Sequence, residues 1–159
     1  MTLDGLRKYI ESVCLAWRGN DEIQGIKDFQ TGNNYNEAEQ INNVYPMVFY
    51  ELPYYLQYNL NPYKQVDNVQ FAFNVFYKTG IDNIETDHDS VSAAKQIGDA
   101  IVSYIIANAT DFIIINVTAV SVREFTDDSV AGMRYEWQIQ LPRDYCDVTD
   151  FTNLFDPLD

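Results

Sequence analysis

The sequence predicts an α+β domain: an antiparallel-dominated sheet with helices packed on one face and a long C-terminal β-hairpin. Three observations carry that expectation. The stretch Met133-Arg134-Tyr135-Glu136-Trp137-Gln138-Ile139-Gln140-Leu141 alternates apolar and polar residues at every step, the period of a strand with one face in a core. Val69, Phe71, Phe73, Val75 and Tyr77 repeat that period. Two further stretches, near the N-terminus and between Ser90 and Asn108, place apolar residues at helical spacing instead. The resulting order is helix, edge strand, strand, helix, long strand, strand, which suits a sandwich of two layers.

Each element has its own signal. Leu3, Leu6, Ile10, Val13, Cys14 and Trp17 form one stripe of a first helix over Leu3 to Arg18, stopped near Gly19-Asn20. Asp21 to Asn43 is polar, with Gly25, Gly32 and an Asn-rich run, and reads as a long loop with a short helix at Glu37 to Ile41. Val44 to Leu52 is strand-like, but Pro46 lacks an N–H donor and moves it to a sheet edge or a strand start. Pro53 to Pro62 is rich in tyrosine and reads as an exposed loop or ribbon. Ser90 is the expected N-cap of the second helix, with Asp87 and Asp89 near the positive end of its dipole. Ala94, Ile97, Ile101, Tyr104 and Ile105 are its expected buried stripe. Phe112 to Phe125 is a long strand whose apolar phase changes near Ala119-Val120, where a bulge is expected. The hairpin spans Val117 to Leu141, turns at Asp127 to Gly132 and ends at Pro142.

A chain of 159 residues suits one domain, here residues 1–146, followed by an acidic tail, 147–159, that either packs locally or docks on a neighbouring subunit. The 24 acids against 10 bases give a formal net charge of −14. No cluster of Lys and Arg is available for a nucleic-acid backbone or an anionic membrane, so neither is an expected partner. The charge suits a wall along which DNA slides without sticking, and equally an acidic DNA mimic that inhibits a DNA-binding protein or nuclease. Cys14 and Cys146 stand far apart in sequence and read as thiols of a reducing compartment. No secretory signal pattern is present, and the apolar run Phe112 to Ile115 is too short to span a bilayer.

Little in the sequence carries catalysis. The single histidine lies in Asp87-His88-Asp89-Ser90, without the further ligands a metal needs. Phosphate-binding glycine loops, nucleophile elbows and DxDxDG calcium loops are absent. The chain is therefore expected not to be an enzyme, and no catalytic residue, cofactor or metal is assigned. The candidate residues are those of a subunit interface. Tyr54, Tyr55 and Tyr58 supply large amphipathic rings. Asp127 and Asp128 mark the hairpin tip, and Phe151, Leu154 and Phe155 are the apolar residues of the tail. Arg123 and Arg134 either bridge a neighbour's carboxylates or pair within the chain, with Glu124 or Glu136.

The layout resembles the neck proteins of tailed bacteriophages: the tail-terminator, tail-completion and head–tail connector ring family. The elements that carry the resemblance are the N-terminal helix, Val44-Tyr45-Pro46-Met47-Val48 after a polar loop, and Phe71-Ala72-Phe73-Asn74-Val75. The helix Ser92 to Ile105 and the hairpin Val122 to Leu141, with Ala131-Gly132-Met133-Arg134-Tyr135 leaving its turn, complete the pattern. The resemblance implies a virion structural protein that assembles with itself into a ring, a hexamer or dodecamer, around the DNA channel. It implies portal or connector and tail proteins as neighbours, with DNA passing nearby unbound. It also implies residence in the virion neck, after assembly in the host cytoplasm.

Overall fold

A computed structural model describes residues 1–32, 44–52, 54–58, 66–79, 84–124 and 129–142. The architecture is α+β, with a mixed but mostly antiparallel six-stranded sheet and two helices. The tail 147–159, the expected short helix at Glu37 to Ile41, and Cys146 lie outside the described residues.

Helix α1 (Leu3–Ala16) starts where the Thr2 hydroxyl accepts a hydrogen bond from the Gly5 amide, at 3.1 Å. It buries Leu6, Ile10, Val13 and Cys14. The chain then turns through Gly19, whose φ of 88° is one that only glycine adopts without strain. The Asn20 side chain accepts from the Glu22 and Ile23 amides and closes this turn.

The loop expected over Asp21 to Asn43 is shorter than that. Strand β1 (Asp28–Gly32) runs parallel to β2 (Met47–Glu51), from Asp28↔Met47 to Gly32↔Glu51. Its ladder is extended by Lys27 N–H to Pro46 O and Leu52 N–H to Gly32 O. With β1 outside it, β2 is an inner strand. Pro46 stands at its start, the one place in an inner strand where a missing donor costs no ladder bond.

The Tyr-rich segment is in part strand. β3 (Tyr55–Tyr58) pairs with the first half of β4 (Val66–Lys78), and β2 pairs with the second half. β4 pairs along its whole length with β6 (Val130–Pro142), which pairs in turn with β5 (Ile113–Glu124). The strand order is β1-β2-β4-β6-β5, with β3 beside β4. Val130 to Gly132, expected in the hairpin turn, are already strand.

Helix α2 (Ile84–Asn108) begins six residues before the expected cap. Ser90 is buried inside it and caps nothing. Asp87, in the first turns, is held by Arg123 of β5 at 2.5 Å, which anchors the added length to the sheet.

Both helices cover one face of the sheet. There Val69, Phe71, Phe73 and Val75 of β4 and Met133, Tyr135, Trp137, Ile139 and Leu141 of β6 meet Ala94, Ile97, Ile101 and Ile105 of α2. Tyr104, expected in that stripe, is exposed. A row of rings crosses the strands: Tyr50 stacks on Phe71 at 5.4 Å, and Phe71 on Trp137 at 5.8 Å. Phe73 stacks on Tyr135 at 5.3 Å. A smaller cluster of Met47, Phe49, Phe76 and Val130 lies on the opposite face.

Candidate assembly interface

β5 is an edge strand of twelve residues. Its apolar residues are not where the sequence pattern puts them. The irregularity expected near Ala119-Val120 falls instead between Ile114 and Asn116, where Ile115 has no partner across the ladder. On either side of that shift, Ile114 and Val117 pack on the core. Ile113, Ile115 and Val120 stay 57%, 55% and 52% exposed. From Phe112 to Val122 the strand carries no charge at all, in a chain with 24 acids. Edge strands in proteins that must stay apart are normally guarded by charged side chains, prolines or a covering loop. Bulge aside, this one has none of these side-chain guards over eleven residues. The opposite edge of the sheet is β1.

The sequence-derived candidates fall into three groups. Tyr55 and Tyr58 of β3 are exposed. Tyr54 faces its own core, edge-on to Tyr50 at 5.9 Å with its hydroxyl 3.4 Å from the Leu3 carbonyl oxygen. Both arginines are paired within the chain. Arg123 meets Asp87 of α2. Arg134 grips Glu51 with two arms, Nε to Oε1 at 2.7 Å and Nη2 to Oε2 at 2.8 Å, and also pairs with Glu136. Asp127, Asp128, Phe151, Leu154 and Phe155 lie outside the described residues.

The Arg134–Glu51 fork lies on the sheet face away from the helices. Asn74 donates to Glu51 Oε1 at 2.7 Å and completes it. Partial burial pushes the Glu51 carboxyl up, but Arg134 and Asn74 together outweigh that and hold it below its ordinary value. Glu51 on β2 and Arg134 on β6 flank β4, so the fork spans three strands. Beside it a polar cleft of about 550 Å³ opens, lined among others by Tyr55, Gln70, Thr118 and Gln138.

His88 is exposed on α2. No three His, Cys, Asp or Glu side chains gather as a metal site would require among the described residues. Cys14 is buried, and burial pushes its thiol up from the ordinary value. No described helix is long and apolar enough to cross a membrane.

No protein-family model matches this chain, and no curated protein matches it either.

Proposed function

We propose that this chain is a structural subunit of a tailed-phage virion, a homomeric ring of the neck or tail-terminator region joining head connector to tail around the DNA channel. The observation that carries the assembly is β5, a long edge without charge from Ile113 to Val122 and with three isoleucine and valine side chains exposed. A subunit with two different sheet edges, β5 and β1, can offer one to the copy before it and the other to the copy after it. Such head-to-tail contacts close into rings when the rotation between copies permits. The virion setting rests on the resemblance of layout, and the net charge of −14 suits a conduit that must not hold DNA. The acidic DNA mimic has less support. A mimic needs rows of unpaired carboxylates, whereas Asp4, Glu11, Asp99, Asp87, Glu51 and Glu136 all pair with Arg or Lys of the same chain.

Native mass spectrometry with negative-stain imaging across a salt series tests this reading. Closed rings with a central hole are expected, and Ile115→Lys is expected to abolish them while leaving the fold intact. A strictly monomeric particle at every salt and protein concentration would count against self-assembly through this edge.

A further inference from the structure

The two ends of the strand order differ in how they meet solvent. β5 is uncharged from Ile113 to Val122, whereas β1 opens on a carboxylate, Asp28. Leu52 N–H donates to Gly32 O, so Gly32 turns its peptide groups toward β2. Alternation along the parallel strand then turns those of Phe29 and Thr31 outward. The outward Phe29 N–H is already occupied: it donates to Oδ1 of Asp28 at 2.9 Å. The other oxygen of that carboxylate accepts from Nε2 of Gln30 at 2.7 Å, which holds it in place. The strand beneath is fixed as well, because the Phe29 ring packs on the core and lies 6.2 Å from the Tyr50 ring.

We propose that a neighbouring copy docks its β5 antiparallel on β1, and that the Asp28 carboxylate gates this junction by covering the amide the neighbour must reach. The inference rests on the head-to-tail reading above and adds to it the direction of the contact and the residue that restrains it. The direction follows from the topology. β1 runs parallel to β2, and β2, β4, β6 and β5 alternate, so β5 runs opposite to β1. The rotation between successive copies of a hexamer or larger ring is too small to reverse a strand. β5 of one copy therefore meets β1 of the next antiparallel, the slightly more stable kind of ladder.

The restraint follows from the chemistry of the edge. A strand added to a sheet needs the outward N–H groups of that sheet as donors. A backbone carbonyl from β5 is a weaker acceptor than the carboxylate that holds Phe29 N–H. A charged side chain at an edge is also a common guard against unwanted pairing. The free subunit is thus open on β5 and closed on β1, and the junction forms as Asp28 swings away from Phe29.

Two readouts on the full-length protein test this. Amide hydrogen exchange of the dilute subunit, followed by NMR and scaled to unstructured-peptide rates, reports whether Asp28 covers Phe29. Asp28→Ala is expected to speed exchange at Phe29 several-fold and to leave β4 and β6 unchanged. Native mass spectrometry across a dilution series reports the concentration at which copies associate. Asp28→Ala is expected to lower that concentration about tenfold, the effect of losing one charge-assisted hydrogen bond from the free subunit. Asp28→Asn keeps an acceptor oxygen without the charge and is expected to fall between the two. Association of Asp28→Ala at the parent's concentration or above it would overturn the gate and leave ring assembly standing. Unchanged exchange at Phe29 would overturn the gate too. Failure of parent and variant alike to associate at any concentration would overturn the assembly reading and this inference with it.

Discussion

Replacing Gly98 by alanine is expected to destabilise this fold, although alanine is the better helix former. Gly98 lies in α2 against the sheet, and a Cβ built there falls 2.1 Å from Cε2 and Cζ of Tyr135 and 2.2 Å from its hydroxyl oxygen. Carbon atoms in contact sit about 3.5 Å apart or more, so helix and ring would have to separate by roughly 1.4 Å. The ring cannot yield easily. It is 1% exposed, stacks on Phe73 at 5.3 Å, and its hydroxyl donates to the Lys95 carbonyl at 3.1 Å. Forcing an extra carbon into such a site costs about 1–3 kcal/mol, and contact with three ring atoms argues for the upper end. Removing a glycine from a helix interior returns about 1 kcal/mol. The net loss is about 2 kcal/mol, or roughly 4–8 °C in Tm for a chain of this size. Urea unfolding followed by circular dichroism at 222 nm measures it. In a Tyr135→Leu background the same substitution is expected to become neutral or stabilising, with a coupling energy of about 1 kcal/mol or more. A Gly98→Ala protein more stable than the parent by about 1 kcal/mol would refute the argument, because the propensity gain would then stand unopposed.

Glu51→Gln is expected to reduce stability most at neutral pH. The folded Glu51 carboxyl is held below its ordinary value, so its contribution is complete above the unfolded pKa of about 4.3 and is lost as the pH falls through the folded one. Parent and variant should therefore converge in urea melts at the acid end of a pH series, and a constant gap would contradict the pairing. Trp137→Ala removes the centre of the ring row and is expected to cost about 3–5 kcal/mol, read by the same melts. In a Cys146→Ser background the buried Cys14 thiol is expected to resist a thiol reagent until urea unfolds the chain, and prompt native labelling would contradict its burial.

β6 was legible residue by residue because strand alternation is a local signal and its strand is sandwiched between two others. β1 was not. Asp28-Phe29-Gln30-Thr31-Gly32 has little strand preference of its own and owes its conformation to the ladder with Met47–Glu51. The start of α2 was missed for a related reason. The local capping signal points to Ser90, while Asp87 is fixed by Arg123, far along the chain. The exposure of Ile113 and Ile115 could not be read either. An apolar alternating strand looks the same at an edge as in the middle, and only the pairing order tells them apart. The absence of charge from Phe112 to Val122 is visible in the sequence, and it is the signal that marks the edge. The pairing of Arg134 with Glu136 is legible in the sequence, but its principal partner, Glu51, lies 83 residues away and no local rule points to it.

An unguarded edge on a surface of formal charge −14 separates two ranges of force. Repulsion between copies acts over a screening length of about 8 Å at physiological ionic strength, whereas strand pairing acts only at contact. In the proposed ring, copies drifting in solution would meet the repulsion first and turn back, while copies already held side by side would have crossed that barrier and could pair. The same strand would then be inert in storage and adhesive in place, and the moment of assembly would pass from the subunit to whatever gathers it.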